Sequence, residues 1–530
     1  MTRLHALRQM VIWTPAWLLL ATLVLLLLLP SLHLLSSWQE IDTELWQHFA
    51  DSFLSELLVN TLLLVVAVAF GTLLLGVGLA WLVVMYEFPG RRWLSWLLLL
   101  PFAMPAYVLA FVFLGTFDYG GTFQQWLRPY GIEYFDIREG VFGPALVLTL
   151  VFYPYVYLLA RTAFANQSIS MIESARILGC SPSQVFWRVS LPLARPAIAA
   201  GVSLALMETL ADFGTVALFN YSTFTTAIYS VWEDFRSLAA AAQLSTLLLL
   251  VALLLLGVEK YSRGRRSFVQ QARLDQPPFS LKVWQQWFVS GLVWFVLLVV
   301  LIIPVIQLSI WAYQSVLAEW DSRYLEWFNS TLILSISAAL ATVFMALLLN
   351  VLRKRFASRP LRTALLLARL GYALPGIVLA IGIMAVMAWF NSLFATTWFI
   401  GGLFALYLAY MVRFIAVAYG PIESRLDTIR PSVIEAARNM GAGSVRLVWE
   451  IYLPLLKPGL IAAFILVFLD ISKELPATYL LRPFGWDTLA IRIFELSAEA
   501  LYERAAVPSL LLLLMGVVGL LILRRLNLFK

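Results

Sequence analysis

The sequence predicts an all-α integral membrane protein of about twelve spanning helices, arranged as two parallel six-helix repeats. Three observations carry this: a composition too apolar for water, about twelve stretches long enough to cross a bilayer, and one pattern that occurs twice. Of 530 residues, 62% are hydrophobic and 13% charged, whereas a soluble chain carries about 25% charged residues. The single cysteine, Cys180, excludes a disulfide framework and any Cys-rich metal site. The histidines His5, His33 and His48 are scattered, and no residue set for metal binding is expected. There is no G-x-x-x-x-G-K-[ST] phosphate loop, no H-E-x-x-H and no G-x-S-x-G. The expectation is therefore a chain that is not an enzyme, with no catalytic residues.

Apolar stretches of about 20 residues span a hydrocarbon core of about 30 Å. They fall at about 11–34, 57–85, 94–116, 141–160, 198–219, 239–258, 288–312, 330–351, 364–389, 399–418, 459–480 and 506–523. The first, after Arg3 and Arg8, has the look of a signal peptide. Its LLLLLPSLHLL at 25–35 is matched by LVVLIIPVIQL at 298–308 in mid-chain, so it is read as a retained helix. Basic residues orient the spans. About 27 lie in one set of loops, among them Arg91, Arg161, Arg265, Arg353 and Arg524, against 7 in the other, such as Arg128, Arg236 and Arg504. Both termini are thus expected to be cytoplasmic. The net charge of +7 is a topology signal, and no nucleic-acid partner is expected.

The repeated pattern is ESARILGCSPSQVFWRVSLP at 173–192 and EAARNMGAGSVRLVWEIYLP at 435–454, matched without a gap. Further matches join NTLLLVVAVAFG from Asn60 to STLILSISAALA from Ser330, and PAYVLA from Pro105 to PGIVLA from Pro375. Six spans per half bring both halves in from the same side, so the repeats are parallel. The chain divides into a first half at 1–258, a basic, proline-bearing cytoplasmic linker at 259–286, and a second half at 287–530.

Each copy is a polar island in a greasy chain. Glu173 and Glu435 start a short helix, and small Ala175 or Ala437 leaves room for another surface to approach. Gly179 and Gly441 suit a left-handed turn that ends it. A second amphipathic stretch follows, with Val185, Phe186 and Val189 on one face and Val445, Val448 and Ile451 in the other copy. Leu-Pro then stops it and starts the next span. A connecting loop packed on its own helices has little reason to keep this spacing twice, which favours a docking element for a cytoplasmic partner.

EAA---G---------I-LP resembles the signature of the inner-membrane permeases of binding-protein-dependent ABC importers. Glu435, Ala436, Ala437, Gly441, Ile451, Leu453 and Pro454 match it fully; the first copy departs at Ser174 and Val189. The resemblance covers nearly the whole chain and implies a type I importer fold. It implies that Glu173, Ser174, Ala175, Gly179, Glu435, Ala436, Ala437 and Gly441 seat in two copies of a cytoplasmic ABC ATPase. ATP and Mg would be bound there and no cofactor by this chain. It further implies a periplasmic substrate-binding protein and a multi-pass location in a bacterial inner membrane, in contact with lipid.

A second constellation follows each island. Glu208 and Asp212 are four apart and share a helix face, as do Asp470 and Glu474 at equivalent positions. If the helices begin near 198 and 460, the first acid of each pair lies about 15 Å in and the second about 21 Å in. Intramembrane acids are costly and usually face a bundle interior or a water-filled path. The repeat would bring both pairs toward one axis. Lys473, replaced by Ala211 in the first half, can pair with Asp470 or across the axis. Two readings stay open: acids that cap broken helices, pair with Lys473 or stay protonated, and acids that line a cation path. Gly214 and Pro476 suggest that both helices break there.

ETLADFGTVALFNYSTFTTAIY and KELPATYLLRPFGWDTLA resemble ferric-iron permeases, which implies iron as cargo; thiamine, polyamine and phosphonate permeases are relatives. An ion-coupled twelve-helix secondary transporter fits the span count but leaves the islands unexplained. A membrane sensor or scaffold leaves the acids unexplained. Outer loops carry acids such as Asp42, Glu44, Asp118, Asp136 and Glu233, ordinary solvated charge or a docking face. Trp13, Trp17, Trp38, Trp93, Trp287 and Trp327 read as interfacial anchors. LAIRIFELSAEALYER at 489–504 reads as an amphipathic helix at the outer interface.

Overall fold

The computed structural model describes residues 22, 24–39, 41–131, 136–263, 277–318, 322–355, 365, 371, 374–394 and 402–525. In hydrocarbon each backbone N–H and C=O needs a partner within its own segment, so a chain this apolar resolves into helices. Among the described residues there is no strand, only an isolated parallel bridge between Tyr86 and Phe279. Among the described residues eleven helices are long and apolar enough to cross a bilayer, or twelve if the pair Val24–Gln39 and Thr43–Ser52, bent by 101°, is one span. Much of the expected first span, with Trp13 and Trp17, lies outside the described residues, as do parts of the ninth and tenth.

The first half contains α1 (Val24–Gln39), α2 (Thr43–Ser52), α3 (Leu54–Met85), α4 (Arg91–Leu97), α5 (Ala106–Phe117) and α6 (Thr122–Leu127). It continues with α7 (Phe142–Ala165), α8 (Ile169–Ile177), α9 (Pro182–Val185), α10 (Leu191–Ala211), α11 (Gly214–Leu218), α12 (Phe224–Glu233) and α13 (Leu238–Arg263). The second half opens with α14 (Val283–Leu297), α15 (Ile303–Ala318), α16 (Arg323–Arg355), α17 (Gly376–Phe394) and α18 (Leu403–Thr428). Then come α19 (Pro431–Asn439), α20 (Ser444–Leu447), α21 (Leu453–Ser472), α22 (Pro476–Leu481), α23 (Leu489–Ala498) and α24 (Tyr502–Arg525). The helix before the linker thus runs to Arg263, past the expected boundary at 258; residues 264–276 lie outside the described part.

The first span of each half also packs on the opposite half. Val24 and Leu27 of α1 belong to the buried cluster of Leu334, Ala338, Leu379 and Ile383 in the second half. Conversely Val293, Val296, Leu308 and Trp311 of α14 and α15 lie in the cluster built on the first half. Trp311 stacks with Phe111 of α5, at 6.2 Å, and Tyr502 of α24, at 5.8 Å, and those two rings also stack on each other at 6.1 Å. The division at the linker is therefore a division of sequence, while packing is shared across it.

The four described tryptophans read as anchors differ in role. Trp93 and Trp287 are exposed, as interfacial rings should be. Trp38 is half-buried, its indole N–H donating to Thr246 Oγ1 at 2.7 Å. Trp327 is buried beneath the guanidinium groups of Arg323 and Arg492, so it is a packing residue instead.

Candidate functional site

The two islands fold alike down to single hydrogen bonds. In the first, the N–H of Gly179 donates to Arg176 O at 2.9 Å and that of Cys180 to Ala175 O at 3.0 Å. In the second, Gly441 donates to Arg438 O at 2.9 Å and Ala442 to Ala437 O at 3.0 Å. This paired closure ends a helix on a left-handed residue, and Gly179 (φ 85°) and Gly441 (φ 83°) supply it. Side chains follow the same register. Ala175 and Ala437 are buried, while Glu173, Ser174, Glu435 and Ala436 are exposed. The small alanines therefore let the island pack onto its own bundle and do not make room for a partner, which corrects their expected role. The outward surface includes two residues missed in the sequence, Leu178 (83% exposed) and Met440 (79% exposed), one position before each glycine. Trp187 and Trp449, also equivalent, are exposed beside them.

Leu-Pro does not stop the helix as expected. Residues Phe186–Ser190 and Val448–Tyr452 form π turns, with Leu191 N–H donating to Phe186 O and Leu453 N–H to Val448 O. Pro192 and Pro454 lack an N–H and would crowd the carbonyl four residues back. Widening one turn relieves that clash and lets island and span run as one helix.

As a result α10 begins at Leu191 and α21 at Leu453, not near 198 and 460. Glu208 and Asp470 stand about 26 Å along these helices, at the far end and not halfway. Both helices then break, as Gly214 and Pro476 suggest. Asp212 accepts from Thr215 N (2.9 Å), Thr215 Oγ1 (3.0 Å) and Val216 N (3.3 Å). Glu474 accepts from Ala477 N (2.9 Å), Thr478 N (2.8 Å) and the Thr478 hydroxyl. Each thus caps the short helix after the break. Lys473 pairs with Asp470 at 3.1 Å.

All five residues also line one cavity of about 100 Å³ between the halves, with Tyr107, Phe152 and Tyr155. Arg413 of α18, missed in the sequence, lines it too and pairs with Glu474 at 3.0 Å. A Cβ on Gly376 would stand 2.1 Å from Arg413 Nη1, so only glycine leaves the pair room. The first-half position equivalent to Arg413 is Val151, also in the wall. Four carboxylates therefore face two cations, and both cations belong to the second half. Among the described residues, no group of three or more His, Cys, Asp or Glu is placed to hold a metal ion.

Opposite the islands, four rings from both halves meet beyond this cavity. Phe213 lies 5.2 Å from Tyr229 and 5.4 Å from Phe494, and Tyr479 lies 5.9 Å from Tyr229 and 5.7 Å from Phe494. Past them is an outer pocket of about 570 Å³, with His48, Glu56, Asn220 and Ser230 in its wall. Phe213 borders both spaces. Helix α23 supplies Phe494 and is buried between neighbours, which corrects its reading as an interfacial helix. Its Arg492 and Glu495 close an ion-pair ring with Arg482 and Asp487. The acids of the outer loops are partly used locally: Asp42 caps α2 and Asp118 faces Arg138 at 3.6 Å.

Residues 72–266 and 338–528 each match the family described as binding-protein-dependent transport system inner membrane component. The Fe(3+)-transport system permease protein FbpB 2 of Haemophilus influenzae is 28% identical over 479 residues, covering 89% of this chain and 90% of that protein. The sulfate transport system permease protein CysT of Escherichia coli is 30% identical over 199 residues, 36% of this chain and 71% of that protein. Its counterpart CysW is 30% identical over 217 residues, 39% of this chain and 74% of that protein.

Proposed function

The chain belongs to the family of binding-protein-dependent transport system inner membrane components, and on that premise we propose that it is an importer permease whose cargo is ferric iron. The similarity to the ferric-iron permease of Haemophilus influenzae carries this reading, because it extends over 89% of this chain and 90% of that protein. The sulfate permeases align with little more than a third of the chain. The cavity adds weight: four carboxylates, Glu208, Asp212, Asp470 and Glu474, line its wall against two cations, Arg413 and Lys473. An excess of oxygen anions suits a hard cation.

In this reading a periplasmic binding protein delivers the cargo. Each island seats one of two ATPase subunits, which bind ATP and Mg, and both termini are cytoplasmic. Closure of the ATPases would bias the permease between inward and outward access through differential affinity for the two states. A sulfate cargo is the second reading, favoured by Arg413 and Lys473 in the wall and by the sulfate relatives. Reconstitution with the ATPase and a candidate binding protein separates them. Ferric-loaded protein should stimulate ATP hydrolysis and drive iron uptake, and stimulation by sulfate-loaded protein alone would overturn the iron reading.

A further inference from the structure

The described residues of the linker between the halves touch the first island. Phe279, four residues before α14, is 5% exposed. Its ring lies 5.6 Å from Tyr86 and 6.1 Å from Trp81 at the island end of α3, and its N–H donates to Met85 O at 3.2 Å. Trp81 in turn meets Phe164 at 5.4 Å and Phe186, in the π turn of the first island, at 4.9 Å. Arg176 of α8 completes the contact. Its Nη1 donates to Pro278 O at 3.1 Å, and its guanidinium stands 5.5 Å over the Phe279 ring. Ser290 of α14 adds a second stitch, donating to Pro89 O at 3.0 Å.

Among the described residues the second island has no such arrangement. Phe164 and Phe186 are replaced there by Leu426 and Val448, and the position of Trp81 by Val351, which is 47% exposed. Among the described residues no hydrogen bond or ion pair of a side chain reaches Arg438, the equivalent of Arg176.

We propose that Pro278 and Phe279 form a strap that positions the first island, so that the two docking islands are mechanically unequal. The first is tied to α3 and, through the linker, to the opening helix of the other half. The second has no such tie among the described residues, and is the one a partner displaces more easily. This rests on the islands being docking elements, and the strap residues are positioning residues that would act through the first of them.

The chain's only cysteine makes the test direct, because Cys180 lies on the first island and its equivalent is Ala442. A nitroxide label on Cys180 of the full chain in liposomes should reorient at least about twofold more slowly than one on a Cys180→Ala, Ala442→Cys variant. Phe279→Ala should speed the first label by a similar factor and leave the second unchanged, and Phe279→Tyr should restore slow motion. Arg176→Gln, a change at an exposed site, should act in the same direction if Phe279→Ala fails to insert. No change at Cys180, or equal change at both sites, would overturn the strap. Co-purification of the ATPase, measured on the same variants, reports the docking reading separately: its complete absence from unaltered protein would defeat that reading while the label asymmetry stood.

Discussion

Arg413 of α18 and Glu474, in the break after α21, are held 3.0 Å apart in the cavity wall, with side chains 10% and 2% exposed, though 61 residues separate them in the chain. Two charges withdrawn from water lose their hydration, and the pair survives because each offsets the other and Glu474 accepts further N–H and O–H donors. Removing one partner leaves the other stranded. Arg413→Met or Glu474→Gln alone is expected to cost about 3–5 kcal/mol, and the double substitution much less than the sum. Thermal unfolding of the four purified proteins measures this cycle. Additive losses would mean that the two groups are not coupled.

Gly179 and Gly441 occupy backbone angles that cost other L-residues about 1–2 kcal/mol, and β-branched ones more. Neither has an atom within 4 Å of a built Cβ, so the penalty is conformational and not steric crowding. Gly179→Val or Gly441→Val should therefore deform the island turn while the spans still insert. The expected outcome is normal membrane yield with weakened ATPase co-purification, and unchanged co-purification would count against docking.

Leu178 and Met440 expose apolar side chains on polar islands, where an unpartnered protein gains nothing from them. Leu178→Asp with Met440→Asp should leave thermal stability within about 0.5 kcal/mol, as at other exposed sites. ATPase binding should be lost, because a buried apolar contact would become a desolvated carboxylate. Binding that persists would place the partner elsewhere.

How much of this could be read in advance depends on whether the signal is local. The islands were readable because their turn, caps and register lie within twenty consecutive residues, and the left-handed glycine is a backbone demand visible in the residue type. The acids at 208, 212, 470 and 474 and the breaks beside them were readable for the same reason. Arg413 was not, since nothing in a span says which distant carboxylate will meet it. The burial of α23 was misread because an amphipathic pattern reveals an apolar face but not what covers it. The starts of α10 and α21 were misplaced because proline usually interrupts a helix, and here a widened turn absorbed it.

The four rings of Phe213, Tyr229, Tyr479 and Phe494 separate the inner cavity from the outer pocket. In a Cys180→Ala background, Ala211→Cys places a thiol in the cavity wall. A membrane-impermeant maleimide added from outside should react slowly with it. Phe213→Ala with Phe494→Ala should raise that rate at least about tenfold, because two of the four rings and three of their four contacts are removed, a change worth about 1.4 kcal/mol in barrier height. Fast labelling before the rings are cut back would show that they are no barrier.

Asp212 carries two possible duties that one substitution can separate. As a cap it needs only an acceptor aimed at Thr215 N and Val216 N, and asparagine serves as well as aspartate there. As part of a cation path it needs its charge, which has no salt-bridge partner among the described residues. Asp212→Asn should thus hold stability within about 0.5 kcal/mol, whereas Asp212→Ala should lose about 1 kcal/mol with the cap. If the charge guides iron, Asp212→Asn should already lower binding-protein-dependent uptake about tenfold. Uptake that falls only with alanine, in step with stability, would return Asp212 to a purely structural role and leave the break in α10 as the reason it is there.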